Sequence, residues 1–167
     1  MIRIGLISDT HSFLDPKIFE HFEECDQIWH AGDFGDIKVF DELNAFKPTK
    51  GVYGNIDGRE IRLCCPLDQM FECEGHKIYM THIGGYPGRY NEHSRLHIRE
   101  FKPDIFICGH SHILKIMPDK QYNLLHINPG AAGNIGFHQV RTIVRFSLAP
   151  GKISDMQVIE LGTKLRI

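Results

Sequence analysis

The chain predicts an α/β fold, and three features carry that reading. Short apolar runs bounded by turn residues recur along it, the first being Ile2 to Ile7, which reads as a strand buried on both faces. Segments with helical spacing alternate with these runs through the first half, whereas the second half is mostly strand-like. Polar side chains able to bind metal stand just past several of the runs, where strands leaving a sheet can meet in one crevice.

After the first strand, Asp15 and Pro16 supply an N-cap and a first helical position, and Ile18, Phe19 and Phe22 share one face of the helix that follows. Gln27 to His30 is the second strand. Asp36 caps a helix carrying Val39, Phe40 and Leu43, which Pro48 terminates, and Gly51 to Tyr53 forms a third short strand. This strand-helix alternation calls for a parallel sheet with right-handed crossovers. Gln69 to Cys73 and Lys77 to Thr81 flank Glu74, Gly75 and His76 as a hairpin. A helix from about Glu92 to Phe101 packs Leu96 and Ile98, and Ile105 to Cys108 returns to buried strand. The rest reads as antiparallel strands at Ile113 to Met117, Asn123 to Ile127, Thr142 to Leu148 and Ile153 to Leu161, with turns at Pro118 to Lys120 and at Pro150 and Gly151. No linker, repeat or low-complexity segment divides residues 1–167, so one domain is expected.

At 167 residues, with 42% hydrophobic and 24% charged side chains, the chain is long enough to bury a sound core. A net charge of -2 leaves no general footprint for nucleic acid or an anionic membrane. No apolar run approaches a membrane span, and the start lacks the pattern of a signal peptide. Five cysteines, with Cys64 and Cys65 adjacent and no C-x-x-C, argue against a disulfide framework or zinc ribbon. The expectation is a cytoplasmic protein with reduced thiols, in which Cys108 is a buried small hydrophobe.

The chemistry resides in Asp9, His11, Asp33, Asn55, His82, His110 and His112. Asp9 and His11, two apart at a strand end, can turn toward one ion, and Asp33 and Asn55 each follow a glycine that lets backbone approach closely. Carboxylate, amide oxygen and imidazole together suit manganese, iron, zinc, cobalt or nickel better than a thiolate or all-oxygen site would. Singly each is a common cap, turn or surface residue. Their recurrence in order after apolar runs points to a two-metal site.

Ser8-Asp9-Thr10-His11, Gly32-Asp33-Phe34-Gly35-Asp36, Gly54-Asn55, Thr81-His82 and Gly109-His110-Ser111-His112 resemble the ordered signature blocks of the calcineurin-like metallophosphoesterases. The resemblance covers nearly the whole chain, and Asn128-Pro129-Gly130 is similar to the small bacterial and archaeal phosphodiesterase branch. It implies a four-layer sandwich of two facing mixed β sheets flanked by helices. It also implies that Asp9, His11 and His112 hold one metal, that Asn55, His82 and His110 hold the other, and that Asp33 bridges them, with Asn55, Asp33 and His82 central to catalysis. Two divalent cations, manganese foremost, would acidify a shared water and neutralise charge on the phosphoryl oxygens, so that a small phosphoester is hydrolysed without a protein nucleophile. Similar proteins imply a homo-oligomer; neither a membrane nor a nucleic-acid partner is expected.

The block Gly54-Asn55-Ile56-Asp57 departs from relatives that carry a histidine after the asparagine, and Ile56 has no proton to give a leaving oxygen. Rates should therefore fall steeply as the leaving group becomes more basic, unless a group such as Asp57 substitutes. Asp36 is read either as a partner fixing an imidazole tautomer or as a helix cap, and His30 as a structural histidine or a proton donor. Arg59 and Arg89 are rim candidates for a substrate phosphate, while His126 and His138 stay unassigned. The alternative to an enzyme is a non-catalytic scaffold like the metallophosphoesterase-like subunit of retromer, with Phe13, Tyr86 and Tyr90 as a binding surface.

Overall fold

The structure, a computed structural model, describes residues 1–165. Two five-stranded mixed sheets face each other. In the first, β1 (Ile2–Ile7), β2 (Gln27–His30) and β3 (Thr49–Gly51) run parallel, β9 (Val140–Ala149) lies antiparallel beside β1, and β10 (Lys152–Thr163) forms the edge. The second has the order β4 (Asp68–Cys73), β5 (His76–Thr81), β6 (Ile105–Ile107), β8 (Leu124–Asn128) and β7 (Lys115–Asp119), with only its two outer pairs antiparallel.

Strand alternation divides the side chains among three cores. Ile4 and Leu6 point inward and join Trp29, Ile78, Met80, Ile107 and Phe146 between the sheets. Ile7 and Ile28 point outward, under α1 (Lys17–His21), α2 (Ile37–Phe46) and α3 (Arg59–Cys64), meeting Ile18, Phe22, Val39, Leu43 and Ile61. Tyr79 and Phe106 face out of the second sheet and are covered by Tyr90 and by Ile98 of α4 (Glu92–Phe101). Three cores between four layers are the sandwich expected from the sequence. Gly5 is required within it, because a Cβ there would sit 2.7 Å from the Phe22 ring and lift α1 off the sheet.

Local differences from the sequence reading have physical causes. Leu96 is 53% exposed, while Ser94 and Ile98 are buried; residues two apart point to nearly opposite sides of a helix, so Leu96 and Ile98 cannot share a face. Pro118 lies inside β7 rather than in a turn, which an edge strand tolerates, and the chain turns after it at residues 120–123. The third strand comes earlier, at Thr49–Gly51, and α3 was not foreseen. β8 pairs antiparallel with β7, and β10 with β9, as expected, but β8 also runs parallel to β6. Glu74 (φ 49°) and Gly75 (φ 78°) make a two-residue turn of the mirror-image type that suits a hairpin, so His76 begins β5 instead of belonging to the turn, and it is buried. Cys108 is buried as expected, and burial pushes its thiol to about 12.

Arg141 is 2% exposed and holds the two ends of the first sheet's chain together. It donates to Asp15 Oδ2 at 2.8 Å and to the carbonyls of Leu161 and Thr163 at 3.1 and 3.2 Å, and its guanidinium covers Phe13. Burial raises the Asp15 carboxyl, but the Lys17 amide and Arg141 outweigh it and hold the group below its usual value. Arg141→Met should cost about 3–5 kcal/mol in urea unfolding, because it strands a buried carboxylate. The stabilisation from Asp15 is complete at neutral pH and should be lost as pH falls below the usual carboxylate value and through the depressed one.

Candidate metal centre

The seven sequence-predicted donors come from loops at one end of the two facing sheets, and the structure brings them together in two abutting groups. Asp9, His11 and His112 form one and Asp33, His82 and His110 the other, the donor atoms of each lying within 4.8 Å of one another. Asp9 Oδ1 is 3.1 Å from His112 Nε2 and 3.9 Å from His11 Nε2. Asp33 Oδ2 lies between the groups, 3.5 Å from His11 Nε2 and 3.2 Å from His82 Nε2. Asn55 Oδ1 completes the second, at 3.2 Å from His82 Nε2 and 3.0 Å from His110 Nδ1.

Each carboxylate has one oxygen tied to the protein and one turned to its neighbours. Asp9 Oδ2 accepts from the Ser8 hydroxyl (2.6 Å) and the His110 amide (3.1 Å), and Asp33 Oδ1 accepts from the Ile56 amide (3.1 Å). Burial alone would raise both carboxyls. For Asp9 the neighbouring His112 and His82 rings and the Ser8 hydroxyl more than offset it, and for Asp33 the His82 ring and the Ile56 amide do so; both stay below their usual values. Burial lowers His82, but Asp33 and Asp9 outweigh it and favour the charged ring. The centre thus gathers negative charge that a cation can replace the proton in neutralising.

Backbone carbonyls fix the imidazole tautomers. His82 Nδ1 donates to Ala31 O at 2.7 Å, which leaves Nε2 as the donor atom. His112 is set through a second histidine that the sequence left unassigned. His138 Nε2 donates to Gly133 O (2.8 Å), so its Nδ1 must accept from His112 Nδ1–H (3.2 Å), freeing His112 Nε2 toward Asp9. Burial lowers the His138 pKa, consistent with a neutral ring. A lone histidine in a polar loop gives no periodic signal, which is why spacing could not assign it.

Other candidates serve to shape the loops. Asp57 is buried and accepts from the Gly35 and Gly54 amides, both at 2.8 Å, tying two donor-bearing loops together; with its oxygens taken it is no stand-in acid. Asp36 caps α2 through Lys38 N and fixes no tautomer. His30 is fully buried, stacks on Phe34, accepts from Gly32 N and faces the Thr10 hydroxyl; burial pushes it to about 3, so it is a neutral structural group. Asn128 holds the Gly109-His112 loop through Gly109 O and Ser111 Oγ. His126 is buried beside Tyr90 and Phe106 in the outer core. Arg59 starts α3 and Arg89 ends a turn, and both side chains are exposed. Phe13, Tyr86 and Tyr90 do not form an exposed surface: Arg141 covers the first, the second has a buried hydroxyl, and the third is 6% exposed.

The donors fit a metal. Asp9 Oδ1 and His11 Nε2 are buried with no hydrogen-bond partner among the described residues, although an unpaired buried polar group costs about 1–3 kcal/mol, and both face the other donors. A bound divalent cation satisfies both. Replacing His138 by phenylalanine should weaken metal binding about 10–100-fold, read by calorimetric titration, with unfolding little changed.

Residues 2–151 match the calcineurin-like phosphoesterase superfamily domain. A probable metallophosphoesterase of Methanothermobacter thermautotrophicus is 30% identical over 77% of this chain and 76% of its own length. Another, of Methanocaldococcus jannaschii, is 33% identical over 77% of this chain and 67% of its own. Among solved structures, an archaeal phosphodiesterase superposes with a TM-score of 0.77 at 24% identity, covering 96% of this chain and 100% of that one. Vps29 of Chaetomium thermophilum does so with a TM-score of 0.74 at 18% identity, covering 99% and 100%. These two structures speak to the fold, and the domain match with the archaeal relatives speaks to descent: the chain belongs to the calcineurin-like phosphoesterase superfamily.

Proposed function

We propose that the chain is a metal-dependent phosphodiesterase with a dinuclear centre, Asp9, His11 and His112 holding one cation, Asn55, His82 and His110 the other, and Asp33 shared between them. The observation that carries this reading is the pair of buried donor atoms, Asp9 Oδ1 and His11 Nε2, that have no hydrogen-bond partner among the described residues at the point where the loops converge. Two divalent cations, manganese foremost, supply Lewis acidity toward the phosphoryl oxygens and an acidified water at neutral pH. Asn55 uses its Oδ1 within the centre and keeps its amide N–H groups for a phosphate oxygen. Asn55 and His82 also form one wall of a groove of about 320 Å³ that continues along Tyr53, Leu67 and Ile83, an apolar lining suited to an organic substituent of a small ester. Family membership supports phosphoesterase chemistry; the diester preference, the cytoplasmic setting and the choice of manganese are ours.

A scaffold role has one observation on its side, the exposed Ile113, Ile135 and Phe137 near the His112 loop, of which Phe137 is wholly bare. Metal uptake without turnover of any phosphoester, with a stable protein partner, would favour it. The enzyme reading predicts that purified protein hydrolyses an aryl phosphodiester when Mn²⁺ is added and stops on chelation. Asp33→Asn or His82→Ala should lower kcat by at least about 10³ with the circular dichroism spectrum unchanged, a scale set by the loss of metal-derived charge stabilisation. Undiminished activity in these folded variants would exclude the reading.

A further inference from the structure

The groove beside Asn55 and His82 is lined farther along by His93, on the first turn of α4. His93 Nε2 donates to Asp68 Oδ2 at 2.8 Å, and Asp68 is itself fixed by the Tyr79 hydroxyl on Oδ1 at 3.0 Å. The start of α4 is bound to the loop after His82: Asn91 caps the helix through Ser94 N, and its Nδ2 donates to Ile83 O at 2.6 Å. The histidine is therefore held relative to the metal centre by the loop after His82 and, through Asp68 and Tyr79, by the strand that leads into His82. Its other nitrogen, Nδ1, makes no hydrogen bond among the described residues, and the side chain is 44% exposed to the groove and solvent.

We propose that His93, oriented by Asp68, protonates the departing oxygen of the ester, an assignment that rests on the phosphodiesterase reading above. An oxygen from water bonds to phosphorus, the phosphorus–oxygen bond to the alcohol breaks, and its electron pair stays on the alcohol oxygen. That oxygen takes the proton on Nδ1 of the charged ring, solvent accepts the proton lost by the attacking water, and solvent recharges His93, so the sum is one water consumed per ester cleaved. This supplies the donor absent at Ile56, and the steep leaving-group dependence expected from Ile56 alone becomes shallow.

Asp68, His93 and His97 also lie close enough to hold an ion. The geometry favours the dyad. At 2.8 Å the His93 N–H is aimed at Asp68, whereas carboxylate and imidazole in the main centre stand 3.1 to 3.9 Å apart around a common point, and His97 Nδ1 is engaged with His93 O at 3.0 Å.

The test uses phosphodiesters whose leaving groups run from p-nitrophenol to an alkyl alcohol, with Mn²⁺ saturating. His93→Gln should lower kcat/KM for the alkyl ester about 10²–10⁴-fold and that for the p-nitrophenyl ester less than tenfold. Asp68→Asn should steepen the same dependence to a smaller degree, while calorimetric Mn²⁺ stoichiometry and affinity match the parent protein in both variants. An unchanged leaving-group dependence in folded His93→Gln, or an equal loss on both esters, overturns the assignment while leaving the phosphodiesterase reading intact. A third bound Mn²⁺ that disappears in His93→Gln overturns it in favour of a metal site. A parent protein inactive even on the p-nitrophenyl ester overturns the underlying reading, and this one with it.

Discussion

Two carboxylates held out of water a few ångströms apart are the constraint around which the rest of the chain is arranged. Asp9 and Asp33 are 0% and 2% exposed, and among the described residues neither meets a lysine or arginine; their charge is answered by imidazoles and by backbone and hydroxyl donors. Such an arrangement persists only when its remaining lone pairs have an occupant. The fixed oxygens set the direction of the free ones, so loop donors that look merely structural, Ser8 Oγ and the amides of His110 and Ile56, decide where a cation can sit.

The cost is visible in the backbone. Asp9, His11, Asp33, His110 and His112 all adopt positive φ, between 45° and 68°, a conformation that side chains other than glycine rarely take and that costs on the order of 1–3 kcal/mol each. The strain follows from the task. A strand that continued its pleat would keep residues two apart on one face but roughly 6.6 Å from each other along it, so the chain must coil back as it leaves the sheet to aim both at one point. Gly32 and Gly54 give the neighbours room. A Cβ on Gly32, itself at φ 99°, would meet the His82 ring at 2.5 Å, and one on Gly54 would overlap the Asp33 carboxylate. The facing sheets supply the rigidity that lets such loops keep their shape.

This division explains what could be read from the chain. The donors were legible because each is a short polar block locked to the end of an apolar run, and the layers because strand and helix periodicities differ. The groups that position the donors were not. His138 acts through the tautomer of His112, Asp57 joins two glycine-rich loops through backbone amides, and Arg141 closes on Asp15 across 126 positions; no local pattern marks any of them. Leu96 and Pro118 mislead for a simpler reason: helical phase overrules the hydrophobicity of the one, and an edge-strand position overrules the turn propensity of the other.

Ile56 shows how separable these roles are. Its amide anchors Asp33 Oδ1, and any residue other than proline could provide that, so the side chain at this position is released from the work of building the centre. A histidine placed there would put a titratable ring at a half-exposed position but would bring no new support to the carboxylates. The reverse holds for α4, whose first turn is fastened to the loop beyond His82 through Asn91 yet donates nothing to either metal group. A proton donor can therefore move from the Asn55 loop to that helix without disturbing the cation site. In the proposed reaction, cation binding would rest on backbone and buried contacts in the loops at the sheet ends, whereas handling of the leaving group would fall to side chains at the groove wall.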